Sequence, residues 1–346
     1  MTAQSPAMKL SHHGLKIFTT CPQLAAASGA RLETLQRIAR WSEEAGCEGI
    51  LVFTDNAQLD AWVVSQVIVE ATTRLCPLVA VQPVYMHPYS VAKMVTSIAA
   101  LHGRRVYLNM VAGGFKNDLL ALGDTTPHDE RYARLVEYTT VIQDLLRGGE
   151  PANVQGRHYA VNHLKLMPPL PAPLMPGIFV SGSSDAGLQA AQQMQATAIE
   201  YPRPPADCTG VPPPGLAERG IRIGIVARPD GDQAWAAAHQ RFPADRKGQI
   251  THQLAMKISD SSWHRQLSEL GARAHGETQP YWLVPFENYK AVCPYLVGSY
   301  DAVADELRRY VGYGYRTFIL DEPASAADLQ HACAAFERAA APAVVA

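Results

Sequence analysis

The sequence predicts an α/β fold, a TIM (β/α)8 barrel with insertions at its C-terminal face. Three observations predict it: eight β-rich runs, helical patterns between them, and strands so uniformly apolar that both of their faces must be covered. The runs are LKIFTT (15–20), GILVFTD (49–55), CPLVAVQPV (76–84), VYLNMVAGG (106–114), GIFVSGS (177–183), ATAIEY (196–201), IRIGIVA (221–227) and YRTFILD (315–321). Amphipathic segments follow, as in LETLQRIARWSEEAG (32–46) and DAWVVSQVIVEATTR (60–74), so the repeating unit is βα. The count favours a closed barrel over an open doubly wound sheet, because eight βα units complete a barrel.

Two stretches break the rhythm. NVQGRHYAVNHLKLMPPLPAPLMPG (153–177) alternates polar and apolar residues before a proline-rich run, which reads as a hairpin leading into the next barrel strand. From Asp230 to Gly298 the alternation is interrupted by helical pieces and an aromatic segment, YWLVPFENY (281–289). An excursion after a barrel strand lies at the face where active sites are built, so this one, about 230–292, reads as a lid or as a solvated insertion. The chain is expected to be one domain over 1–346.

Composition narrows the function. A chain of 346 residues with 47% hydrophobic residues buries a large core, and 30 basic against 32 acidic residues leave a net charge of −2. No basic stripe is interleaved with aromatics, so nucleic acid is not an expected partner and a small molecule is. The six cysteines (Cys21, Cys47, Cys76, Cys208, Cys293, Cys333) show no metal or redox spacing and fit reduced thiols. No apolar run approaches membrane-spanning length, and a cytoplasmic protein without membrane contact is expected.

Two segments carry the chemistry. In SGSSDAG (181–187) a strand ends in small residues before a helix that Asp185 could cap, so backbone N–H groups, the helix dipole and the Ser183 and Ser184 hydroxyls would face an anion. An ordinary capped turn is the plain alternative. In NMVAGGFKNDLLALGDTTPHDERY (109–132), Asn109 lies inside an apolar strand and its amide needs a partner. Gly113 and Gly114 permit close approach of backbone to a ligand, or simply a tight turn. His128 and Tyr132, four apart, can share a helix face.

Together these segments, with AWVV (61–64), HDERY (128–132), GSSDA (182–186) and LVGS (296–299), resemble the flavin-dependent monooxygenases related to bacterial luciferase, most closely the alkanesulfonate monooxygenase branch. The resemblance runs from about 32 to 322 and weakens over 206–292. It implies a TIM barrel with insertions that uses reduced FMN, supplied by a separate flavin reductase, to activate O2, with no fixed need for metal and with a homo-oligomeric state, dimer or tetramer. It implies flavin contacts at Thr54, Gln82, Asn109, His128, Tyr132, Gly182, Ser183 and Ser184, with His128 and Tyr132 on the ribityl-phosphate arm.

The substrate positions depart from that branch. Cys21 stands where those enzymes have a His, Gln58 where they have a Cys, and Gln82 where they have an Arg. Their Arg-x-His pair becomes Arg222 and Gly224, a mobile-loop Arg falls near Tyr289 and Lys290, a late Tyr gives way to Asp321 and Glu322, and a Trp matches Tyr201. A sulfonate needs charge-assisted donors, so a different substrate is expected. Gln58, Tyr201, Arg222 and Tyr289 are the candidate catalytic residues, with Arg203, Lys290 and Glu322 as further pocket candidates. A strand Arg paired with an acid is the plain alternative for Arg222. The competing readings are a flavin-linked dehydrogenase or reductase of the same superfamily and a catalytically silent flavin-binding protein.

Overall fold

The computed structural model describes residues 14–23, 31–113, 115–182, 184–208, 215–258, 262–271 and 279–341, with backbone only at 255–258, 262–264 and 271. In chain order the elements are β1 (Lys16–Thr20), α1 (Arg31–Glu44), β2 (Gly49–Val52), α2 (Ala61–Ala71), β3 (Cys76–Val81), α3 (Pro88–His102), β4 (Tyr107–Met110), α4 (Lys116–Ala121), α5 (His128–Arg147), β5 (Ala152–Gln155) and β6 (Ala160–Leu164). There follow β7 (Ile178–Ser181), α6 (Asp185–Gln193), β8 (Thr197–Glu200), β9 (Glu218–Arg228), α7 (Gly231–Arg241), α8 (Arg246–Ile258), α9 (Ser262–Gly271), β10 (Tyr281–Trp282), α10 (Val284–Glu287), β11 (Tyr295–Ser299), α11 (Tyr300–Gly312), β12 (Tyr315–Leu320) and α12 (Ala326–Ala340).

Eight parallel strands close on themselves in the order β1-β2-β3-β4-β7-β8-β9-β12, with β12 returning to β1. They are the eight runs read from the sequence. The hairpin is also present, as the antiparallel pair β5 and β6. Helix starts are set locally: the Asp60 carboxylate accepts the Trp62 and Val63 N–H groups ahead of α2, and Ser299 and Ser325 cap α11 and α12. Among the described residues no helix is long and apolar enough to cross a membrane.

The insertion after β9 holds a strand that the sequence reading missed. β11 runs parallel to the outer half of β9, Tyr295 opposite Gly224 and Ser299 opposite Arg228, while the inner half of β9 belongs to the barrel. The aromatic segment lies in the same insertion, ahead of β11. Tyr281, Trp282, Leu283 and Phe286 are buried, and the Tyr281 hydroxyl donates to the Pro202 carbonyl, 2.8 Å away, just beyond β8.

Inside the barrel, alternation along each strand sorts the side chains into two layers. The lower layer is apolar: Phe18, Leu51, Leu78, Tyr107, Phe179, Ile199 and Ile319 form one buried cluster. Phe18 packs edge-on against both Tyr107 and Phe179, each at 5.2 Å between ring centroids. Gly49 makes room for this floor, since a Cβ there would lie 2.2 Å from the Cys76 carbonyl oxygen and 2.8 Å from the Phe18 ring. Gly49→Ala is therefore expected to lower the unfolding free energy by about 1–3 kcal/mol, the usual cost of overpacking. Urea denaturation reads this directly, and an unchanged midpoint would contradict the packing described.

Candidate active site

Two residues beyond the apolar floor the next inward side chains form the C-terminal rim, and on β4, β7, β8 and β12 the lining there turns polar, while β2 still presents Phe53. Tyr107 is followed by Asn109, Phe179 by Ser181, Ile199 by Tyr201, Ile319 by Asp321, and on β3 the inward series Leu78–Ala80 reaches Gln82. Asn109 is buried, and its Oδ1 accepts from the Ser181 hydroxyl at 2.9 Å. A neighbouring side chain thus holds the amide oxygen. Gln82 is buried beside it at the end of β3, and Thr54 is half-buried just past β2.

On the opposite side of the rim stands a charged cluster. The buried Tyr201 hydroxyl hydrogen-bonds with Arg222, and the Arg222 guanidinium lies 3.7 Å from Asp321. Asp321 also accepts from the Tyr295 hydroxyl at 2.6 Å. Burial pushes the Tyr201 phenol up, with Arg222 partly offsetting it. Burial works against the Arg222 cation, but Tyr201, Cys293 and Asp321 outweigh it and hold the guanidinium protonated. The ion pair foreseen as the plain alternative for Arg222 is present, and it sits within the barrel mouth.

Tyr295 also explains Gly224. A Cβ at Gly224 would lie 2.3 Å from the Tyr295 ring, so no histidine fits beside Arg222 in this chain. Sequence reasoning did not single out Tyr295. Its signal was a tyrosine opening an apolar strand directly after CP, inside a segment whose strand went unread.

The second constellation lies where β7 turns into α6. Ser184 is the N-cap, its Oγ accepting the Gly187 N–H at 3.1 Å, so the expected cap Asp185 is displaced into the first turn. The reason is backbone geometry: the chain is extended at Ser184 and helical from Asp185 onward. The Tyr132 hydroxyl bonds with Ser184 and reaches over Gly182, where a Cβ would meet it at 2.6 Å. His128 packs edge-on against Tyr132 at 5.2 Å and pairs with Asp129 at 2.7 Å. Thus His128, Tyr132, Gly182 and Ser184, read separately from two distant segments, come together around one helix N-terminus. Ser183 and Gly114 lie outside the described residues. Gly113 has φ +121° and lies close against the Leu119 side chain.

The remaining candidates are dispersed. Gln58 shares a shallow cavity with Cys21, Pro22, Phe53 and Leu59 beside β2, and its N–H donates to the Asp55 carboxylate at 2.9 Å. Burial pushes the Cys21 thiol up, and Glu322 adds to it. Burial and Asp321 likewise raise Glu322. Arg203 reaches Gln266 at 3.4 Å, and Lys290 pairs with Asp245 at 3.0 Å. Tyr289 is half exposed against His252, and no described contact joins it to the rim cluster.

The loop that delivers His128 and Tyr132 is fastened by Asp124, whose carboxylate takes Arg134 at 2.7 Å and both the N–H and hydroxyl of Thr126. Burial alone would raise the Asp124 carboxyl, but these donors hold it at about 2 against an ordinary 3.8. A carboxyl depressed in the folded state contributes stability above its unfolded value and loses it as the pH falls through the folded one. Wild-type protein should therefore lose stability between about pH 4 and pH 2 more steeply than Asp124→Asn, which has already lost that contribution at pH 7. Thermal melts across this range measure the difference, and parallel pH profiles would remove Asp124 from this role.

Three comparisons bear on this geometry. The family model described as luciferase-like monooxygenase matches residues 14–317. The 4-(gamma-L-glutamylamino)butanoyl-BtrI acyl-carrier protein monooxygenase BtrO of Niallia circulans is 35% identical over 306 residues, covering 87% of this chain and 89% of that one. Among solved structures, the EDTA monooxygenase of Chelativorans sp. BNC1 aligns at 16% identity with a TM-score of 0.68, covering 95% of each chain. An F420-dependent secondary alcohol dehydrogenase aligns at 15% identity with a TM-score of 0.63, over 94% of this chain and 99% of that one. At such identities the structures establish a common barrel fold. With the barrel, its polar rim and a family match spanning most of the sequence, this chain belongs to the luciferase-like monooxygenases and is an oxidoreductase.

Proposed function

We propose that the protein is a cytoplasmic, homo-oligomeric two-component monooxygenase that uses reduced FMN, delivered by a separate flavin reductase, and O2 to oxidise an organic small molecule other than a simple alkanesulfonate. The observation that carries this reading is the Tyr132–Gly182–Ser184 cradle at the N-terminus of α6, set at the same rim as the polar barrel lining. A phosphate fits such a place: a helix N-terminus offers N–H donors and positive potential, and hydroxyls add bonds. Bound FMN would supply the electrons and the oxygen chemistry. Ser184, Tyr132 and Gly182, with Ser183 and His128, would hold its phosphate arm, and Asn109, Gln82 and Thr54 its ring.

The chain's own residues supply the rest. The apolar floor keeps water from entering below, and Ser181 fixes the Asn109 amide so that its N–H groups remain presented to a ligand edge. Tyr201, Arg222 and Asp321 form the substrate-facing side in this proposal, with Gln58 at its margin. A relative at 35% identity is a monooxygenase by name, while the dehydrogenase match rests on fold alone, so oxygenation stands ahead of hydride transfer.

Ser184→Ala should weaken FMN binding about tenfold or more, the loss of roughly 1.5–3 kcal/mol for a bond to a charged phosphate. Flavin fluorescence quenching measures it. Tyr132→Phe serves as the second variant, since it leaves the α6 cap intact. Undiminished binding in both would sink the phosphate assignment.

Octanesulfonate should be a poor substrate. Tyr295 excludes a histidine at Gly224, Asp321 already engages Arg222, and Gln58 and Gln82 carry no charge. Sulfite release in a reductase-coupled assay at about 1 s⁻¹ or faster would overturn the substrate reading.

A further inference from the structure

We propose that the outward face of α8 is a docking surface for an acidic carrier protein that presents the substrate on a long, flexible thioester arm. This rests on the monooxygenase reading above and adds a partner to it. The α8 sequence RKGQITHQLAMKI contains no acidic residue. Arg246 and Lys247 are exposed in its first turn, and neither forms an ion pair among the described residues. Asp245, the acid just before the helix, is paired with Lys290, and the helix N-terminus adds positive potential. A turn further on, Ile250 is 51% exposed and Leu254 59% exposed, four apart on one face. Tyr289, held at φ +57° against the buried His252, adds a half-exposed ring. Cations beside an exposed apolar stripe are complementary to an acidic surface with an apolar centre, and the charges would steer its approach.

Position makes the surface useful. α8 packs on the segment carrying α10, with the Gln249 amide bonded to Asn288 at 3.1 Å. That segment is tied to the barrel where the Tyr281 hydroxyl meets Pro202, the neighbour of Tyr201 in the rim cluster. α8 is thereby linked through the α10 segment to residue 202, and in this proposal the carrier's flexible arm spans the way from α8 to the barrel mouth. The 35%-identical relative is named for acting on an acyl group held by a carrier protein, which supports the occupant.

The test uses the whole protein and a fluorescently labelled acidic acyl-carrier protein bearing the 4-(gamma-L-glutamylamino)butanoyl thioester, with the same acyl group on free pantetheine as the untethered control. Anisotropy titration should show binding of the carrier that weakens about tenfold or more in Arg246→Glu/Lys247→Glu, and similarly for the parent when salt is raised. Ile250→Ser/Leu254→Ser should weaken binding without removing the salt dependence. Both variants carry exposed substitutions, and circular dichroism verifies that they fold. Equal affinity of parent and variants, or no carrier binding by the parent, overturns the proposal. A fall in self-association in either variant also overturns it, since α8 would then be a contact between copies of this chain. FMN binding and reductase-coupled turnover of the free thioester report separately on the monooxygenase reading, so a failed dock and a failed enzyme assignment give different results.

Discussion

A closed parallel barrel leaves each strand no choice about where alternate side chains go, and the site depends on that constraint. One set faces the helices and the other must share the barrel interior. Here the interior set begins with Phe18, Leu51, Leu78, Tyr107, Phe179, Ile199 and Ile319, which fill the lower barrel, and on β4, β7, β8 and β12 it turns polar one step higher. Because the step is two residues, a shift of one in any strand would send Asn109, Tyr201 or Asp321 outward among the helices and break the rim at that point. The apolar floor and the polar rim are thus one feature seen at two heights.

The rim in turn solves a problem of buried charge. A guanidinium in a low-dielectric mouth is costly unless its charge is matched and its donors are used. Arg222 has Asp321 to match its charge and Tyr201 as a hydrogen-bond partner, Asp321 is itself bonded by Tyr295, and the buried Arg222 Nε has no protein partner among the described residues. Tyr295 could occupy that place only because residue 224 is glycine. Removing one partner would leave another buried and unmatched, so this cluster behaves as a unit rather than as four separate residues. A family-type histidine at 224 is excluded by packing as much as by chemistry.

Much of this was legible in the residues. Eight apolar runs became the eight staves because strands buried on both faces have few alternatives, and the Ser-rich turn was readable because small residues before a helix are a local signal. Backbone angles and non-local pairings were harder to read. Ser184 took the cap from Asp185 through a backbone angle that composition does not encode. The strand Tyr295–Ser299 was missed because five residues beside a helix carry little periodicity, and its pairing with β9 spans roughly seventy residues of sequence. Tyr295 therefore stayed unread while Tyr289, in a more conspicuous aromatic run, was chosen; the first bonds to Asp321 and the second lies against His252.

The unread strand matters for how the insertion and the barrel behave together. β9 is eleven residues long, and its inner half pairs with β8 and β12 while its outer half pairs with β11. Arg222 and Gly224 lie on either side of that change of partner. The insertion is thus a continuation of the barrel wall along β9 and β11, fastened again where Tyr281 meets Pro202. Tyr281, Trp282 and Phe286 are buried along this junction, and α8 and α9 pack on α10. Tyr295 and Arg222 are held in register by the strand pair β9 and β11, on either side of the point where β9 changes partner. The insertion and the polar rim thus share one strand, so a change in the register of β11 on β9 would move Tyr295 away from Asp321.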